Sequence, residues 1–255
     1  LTGQDRIGRV SLDNFRHTAL GDVGSTNTEC LIRARAGDPG LHWITAARQI
    51  SGRGRRGRQW ASEPGNLYAS LLLIDPAPME KLQSLPLAVA VAVHRAIQAV
   101  MPSGSNPVSI KWPNDILIAG KKCCGILLEG EGLPDGHHAL VIGCGINVAL
   151  VPEQGLYPVT SLQAEGSAVS PDELFAHLFR SMADALNTWN RGDGIAEIIA
   201  QWRSAAGGIG QKITVNLPDR SLSGRFEGID EDGRLMLDLG AGTVQRIAAG
   251  DVFFG

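Results

Sequence analysis

The stretch Lys111-Trp-Pro-Asn-Asp-Ile-Leu-Ile-Ala-Gly-Lys-Lys-Cys-Cys-Gly-Ile-Leu-Leu-Glu129 decides the fold class. Val108 to Trp112 reads as a short strand, stopped by Pro113 because proline cannot donate to a strand ladder. Asp115 to Ile118 and Cys123 to Glu129 read as the two arms of a hairpin about Ala119-Gly120-Lys121. Hairpins join antiparallel strands, so the middle of the chain builds a sheet that is antiparallel or mixed.

Working outward, His17 to Val23, His42 to Gln49, Leu67 to Ile74 and Ala139 to Ile146 read as further strands. Leu67 to Ile74 is apolar almost throughout and is expected to be buried on both faces. Four segments read as helices: Thr26 or Asn27 (as cap) to about Ala36, Leu85 to Met101 with Pro86 in its first turn, Pro171 to Trp189, and Ile195 to Ala205. Gly37 suits the end of the first. The expectation is an α+β fold, a mixed and largely antiparallel sheet with helices on one side.

The character changes at Ala206-Gly-Gly-Ile-Gly210. Short strands follow at Lys212 to Leu217, Leu222 to Ile229, Leu235 to Leu239 and Thr243 to Ile247, with Pro218-Asp219, Asp232-Gly233 and Gly240-Ala241-Gly242 as turns. They predict a small β barrel or sandwich, too small to be very stable alone and so docked on the main unit. The expected division is residues 1–207 and residues 208–255.

Composition narrows the function. The 255 residues carry 23 Lys plus Arg against 26 Asp plus Glu. No apolar run is long enough to span a bilayer, and no basic segment leads into an apolar stretch at the N-terminus. The four cysteines, Cys30, Cys123, Cys124 and Cys144, lack zinc-finger spacing and read as free thiols of a reducing cytoplasm.

Against that acidic background stands Ser51-Gly-Arg-Gly-Arg-Arg-Gly-Arg-Gln-Trp60, with four arginines interleaved with three glycines. Arginine supplies a permanent planar fork of donors, and glycine lets the backbone turn and approach a ligand. The segment predicts a flexible loop that wraps an anion and becomes ordered when something negative sits inside it. A nucleic-acid patch is the competing reading. The net acidity, the lack of a second basic block and the scarcity of aromatic residues for base stacking favour a small anionic ligand.

Four motifs stand in one order: Gly24-Ser-Thr-Asn27, Gln49 with the arginine loop, Lys111-Trp-Pro-Asn-Asp115, and Gly143-Cys-Gly-Ile-Asn147. Together, from about His17 to the C-terminus, the chain resembles the biotin protein ligases. That resemblance implies a class II synthetase-like catalytic fold with a small C-terminal SH3-like β-barrel. It implies that biotin and ATP, with magnesium, give biotinyl-5′-AMP, and that a lysine of a biotin carboxyl carrier protein or domain then takes the biotin. With only 24 residues before Ser25, the chain resembles the purely catalytic type without a DNA-binding domain.

Carried over residue by residue, the resemblance implies that Ser25, Thr26, Asn27 and Gln49 meet the ureido head of biotin. Gly52, Arg53, Gly54 and Arg55 would close over biotin and the adenylate, with Arg55 nearest the phosphate. Lys111 would stand beside the carboxylate and α-phosphate, so Arg55 and Lys111 are the expected catalytic pair. Trp60, Asn147 and Arg58 would contact the nucleotide. No magnesium ligand is named; Asp115 and Glu129 are candidates on which a structural role weighs equally. Lipoate or octanoyl transfer, nucleic-acid binding through the loop, and biotin binding without catalysis are the alternatives. A monomer and a homodimer are both open, and the expected location is the cytoplasm.

Overall fold

The computed structural model describes residues 9–151 and 158–254. A seven-stranded sheet carries the first part of the chain: β1 (Arg16–Val23), β2 (His42–Gln49), β3 (Leu67–Ile74), β4 (Val108–Lys111), β5 (Asp115–Ile118), β6 (Lys121–Gly132) and β7 (His138–Ile146). The order is β1-β2-β3-β7-β6-β5-β4. Among the described strands of this sheet only β1 and β2 pair in parallel. They are joined by a crossover through α1 (Thr26–Arg35), as a parallel pair requires. β3 pairs with β2 and β7, which leaves its apolar run buried on both faces except at Ile74.

The helices are α1, α2 (Leu85–Val100), α3 (Pro171–Trp189) and α4 (Ile195–Ala205). They do not lie on one side of the sheet. Period-2 alternation sends Leu67, Ala69, Leu71 and Leu73 of β3 into a core shared with α2, α3 and α4. Leu72 goes the other way, with Ile44 and Val141, onto Cys30 and Ala34 of α1. A strand apolar on both faces requires cover on both, and α1 supplies the second.

Helix α3 begins with a capping box: Glu173 N donates to Ser170 Oγ at 3.3 Å and Ser170 N donates to Glu173 Oε2 at 2.9 Å. Helix α1 differs from its expected start. Ser25 is its N-cap, without a side-chain capping bond. Thr26 and Asn27 are inside the helix and their polar groups are used elsewhere.

The C-terminal sheet consists of β8 (Lys212–Asn216), β9 (Ser221–Ile229), β10 (Leu235–Asp238), β11 (Val244–Ile247) and β12 (Asp251–Phe254). The last strand was not legible in the sequence. The order β11-β10-β9-β8-β12 leaves β11 and β12 as two unpaired edges, so the sheet is open and the expected SH3-like barrel is not formed. Closure requires tilted strands long enough to pair at both edges. β10, β11 and β12 have four residues each. The sheet packs on the first unit: Ile213, Phe226 and Leu235 belong to the same core as α2. Trp112 Nε1 also donates to the Gly233 carbonyl at 3.1 Å.

Candidate active site

A cavity of about 580 Å³ opens between the start of α1, the arginine loop, and strands β6 and β7. One end is polar and closely bonded. Thr26 N and Oγ1 both donate to Gln49 Oε1, at 2.9 and 3.1 Å, and Gln49 Nε2 donates to Ser62 Oγ at 3.0 Å. Ser70 Oγ lies between Thr26 Oγ1 at 2.7 Å and Asn27 Oδ1 at 2.6 Å. Asn27 Nδ2 donates to Glu129 Oε2 at 2.7 Å. Ser25, Thr26 and Asn27 are each about 4% exposed. All three line the cavity, which places polar groups on its wall, as selection of a small ligand requires.

Glycine makes the room. A Cβ at Gly143 would collide with Asn27 Oδ1, and one at Gly145 would sit 2.5 Å from Trp60 Nε1. A Cβ at Gly125 would sit 2.9 Å from the same indole. Trp60 therefore lies flat over two adjacent glycine positions of β6 and β7, which are paired in register. Gly52 is tightly packed as well, with a Cβ there 2.6 Å from both Ser62 Oγ and the Trp60 carbonyl.

The arginine loop finds its anion inside the protein. Asp251, the first residue of β12, accepts from Arg55 Nη2 at 3.1 Å, Arg56 Nη1 at 2.8 Å and Arg58 Nη2 at 2.7 Å. Burial raises the Asp251 carboxyl pKa, but the hydrogen bond from Arg58 and the charges of Arg58, Arg55 and Arg56 outweigh it and hold the group below the usual carboxylate value. Three guanidiniums around one carboxylate leave a net positive rim, and Arg55 and Arg58 line the cavity. Arg53 turns the other way: its Nε and Nη2 donate to Glu129 at 3.1 and 2.9 Å, and its Nη1 to Thr28 Oγ1 at 3.0 Å.

The two lysines of the region separate. Lys111 is 6% exposed and does not line the cavity. Its Nζ lies 5.8 and 5.6 Å from the ring centres of Phe253 and Phe254. Burial, only partly offset by Asp115, brings its pKa from 10.5 down to about 8. Lys122 does line the cavity. Its Nζ is 2.7 Å from Asp115 Oδ1 and 5.5 Å from the Trp60 ring centre. Sequence reasoning missed Lys122. The signal was the hairpin: a chain that turns at Ala119-Gly120 brings Lys122 back beside Asp115.

Asn147 is also off the cavity wall. Its Nδ2 donates to the Thr160 carbonyl at 3.0 Å and its N–H to the Cys123 carbonyl at 2.8 Å, so in this structure it ties the segment at Thr160 to the sheet. Asn114, unremarked in the sequence except as part of a motif, lines the cavity with a buried Oδ1 that has no partner among the described residues. Burial pushes the Cys144 thiol up to about 12, which makes it a packing group rather than a nucleophile.

Neither magnesium candidate fits a preformed metal site. Asp115 is paired with Lys122, and Glu129 with Arg53 and Asn27. Among the described residues no three acidic, histidine or cysteine side chains gather to hold an ion. Nor is any described helix long and apolar enough to cross a membrane.

Residues 25–147 match the Biotin/lipoate A/B protein ligase family, and residues 208–255 match the Biotin protein ligase C terminal domain. The biotin--[acetyl-CoA-carboxylase] ligase of Paracoccus denitrificans is 37% identical over 245 residues, 92% of this chain and 99% of that protein. The chain belongs to the biotin protein ligase family. Another member, the bifunctional ligase/repressor BirA of Bacillus subtilis (strain 168), is 34% identical over 83% of this chain and 66% of its own length. In three dimensions the family likeness extends to the biotin protein ligase of Aquifex aeolicus in complex with biotin and ATP. Its TM-score is 0.78 at 27% identity, covering 94% of this chain and 99% of that one.

Proposed function

We propose that this protein joins biotin to ATP, giving biotinyl-5′-AMP and pyrophosphate, and passes the biotinyl group to a lysine of a biotin carboxyl carrier domain. It is an ATP-dependent, AMP-forming biotin–protein ligase. The observation that carries the reading is one cavity with a hydrogen-bonding recess at Thr26, Asn27 and Gln49, and a cationic end at Lys122, Arg55 and Arg58. A ureido head has one carbonyl acceptor and two N–H donors, which suits hydroxyl and amide partners. The carboxylate and the triphosphate are both anions and meet only where cations offset their repulsion.

In the first step a carboxylate oxygen forms a bond to the α-phosphorus and the bond to the β-phosphate breaks, releasing pyrophosphate. Lys122 is assigned to the carboxylate and α-phosphate, in the place first expected for Lys111. Arg55 and Arg58 are assigned to the phosphates and Trp60 to the adenine, while Asn147 supports the nucleotide end from behind through its bond to Thr160, the neighbour of Val159 on the cavity wall. In the second step the carrier amine attacks the acyl carbon, AMP leaves, and the amine loses its proton. Gly52, Arg53 and Gly54 keep the loop over the labile intermediate and exclude water. Magnesium enters as part of the substrate, on the triphosphate. Residues 1–207 form the catalytic unit and residues 208–255 an accessory one. The cytoplasm is the expected location.

Biotin-dependent exchange of pyrophosphate into ATP tests the reading. Exchange is expected with biotin and not with lipoate or octanoate. Exchange driven by either of those acids, or indifferent to biotin, overturns it.

A further inference from the structure

We infer that Glu129 is a positioning residue that couples the head-group recess to the arginine loop, so that one carboxylate sets both biotin recognition and retention of the intermediate. The inference rests on the proposed function above. Glu129 lies near the end of β6, behind the cavity, and is not one of its lining residues. It takes Asn27 Nδ2 on Oε2 at 2.7 Å and the fork of Arg53 on both oxygens at 3.1 and 2.9 Å.

A carboxylate only accepts, so it dictates which way the Asn27 amide faces. With the NH₂ turned to Glu129, Oδ1 falls to Ser70. One N–H and one lone pair of Asn27 are then left for a ligand, in a fixed orientation. Arg53 is held by the same carboxylate and is the loop arginine that Asp251 does not hold. The side chains of Arg53 and Glu129 are 32% and 27% exposed, and an ion pair this open adds little stability. What it adds is geometry: α1, the loop and β6 meet at one group. A ligand that fixes Asn27 on Glu129 therefore also fixes the carboxylate on which Arg53 rests.

Glu129→Gln keeps the shape but replaces one acceptor with a donor. Biotin KM should rise about tenfold or more, as for loss of a charged hydrogen bond, and biotinyl-AMP should leave the enzyme about tenfold faster. The KM for ATP should stay within about twofold, a split that general loosening of the fold would not give. In an Asn27→Ala background Glu129→Gln should add less than about twofold to biotin KM, and in an Arg53→Ala background less than about twofold to the release rate. Additive effects overturn the coupling, as does a change in only one of the two readouts. Should Glu129→Gln fail to fold, Glu129→Asp, too short to reach both partners, must show the same paired defect; wild-type values in it overturn the inference. A wild-type protein without biotin-dependent exchange removes the parent reading. Active wild type with an unaffected Glu129 variant removes only this one.

Discussion

Asp251 accepts a hydrogen bond from Arg58 Nη2 at 2.7 Å across 193 positions of the chain. The same carboxylate holds Arg55 and Arg56. The C-terminal sheet thus supplies the anion around which the arginine loop is arranged. Asp251→Asn removes the charge with little change in size and leaves three like charges to repel. Release of biotinyl-AMP is expected to quicken about tenfold, with biotin appearing on lysines of bystander proteins. A release rate equal to wild type would remove Asp251 from loop control.

The pH dependence of that contact has a definite sign. The Asp251 pKa is depressed from 3.8, so its contribution is complete above 3.8 and is lost as pH falls through the lower folded value. Protection of residues 51–60 against hydrogen exchange, corrected for intrinsic rates, should therefore be flat from pH 7 to pH 5 and fall only below 3.8. Loss of protection between pH 7 and 5 would show that another group holds the loop.

Lys122→Met and Lys111→Met should separate catalysis from packing. A cation placed where charge develops contributes about a hundredfold or more to turnover. The Lys122 variant should lose that much kcat in pyrophosphate exchange with a small change in biotin KM, whereas the Lys111 variant should keep most of its kcat. The reverse pattern would restore Lys111 to the role its motif first suggested.

Lys111 has its own signature in stability. Its pKa falls from 10.5 unfolded to about 8 folded, so between those values the unfolded chain binds more protons. Through this group stability rises with pH over that window. The denaturation midpoint of wild type, relative to Lys111→Met, should climb from pH 8 to pH 10.5. A constant difference between the two proteins would show that Lys111 titrates normally.

Gly143→Ala and Gly145→Ala probe two neighbouring parts of the cavity wall, two residues apart on β7. The first intrudes on Asn27 and the second on Trp60. Overpacking of this kind costs about 1–3 kcal/mol, enough for a roughly tenfold effect. Biotin KM should rise for Gly143→Ala and ATP KM for Gly145→Ala, each measured in the exchange assay. Equal effects on both substrates in both variants would contradict the assignment.

Local pattern made much of this legible. His42–Gln49, Leu67–Ile74 and Pro171–Trp189 match their sequence reading, and the Ser170 capping box found in the structure agrees with the helix start read at Pro171. What was not legible depends on distant partners. β12 is four residues long and its meaning lies in Asp251, whose three partners are near residue 55. The motif drew attention to Lys111, which sits opposite Asp115 in the β4–β5 pairing. The register shift at Ile116/Leu117, invisible in sequence, helps to set where Lys122 returns. Barrel closure likewise depends on two edges meeting, and no local pattern encodes that.

Strand β6 acts as a ruler. It carries Lys122 near its start and Glu129 seven residues on, with Gly125, Ile126 and Leu127 along the cavity wall between them. The spacing of these wall residues is fixed by the pairing of β6 with β7 rather than by flexible side chains. If the acid is held at the recess and met by Lys122 as proposed, one whose chain is a methylene shorter should bring its carboxylate short of the lysine, because the strand cannot contract to meet it. Selection by length would then reside in the backbone, independently of selection by head group.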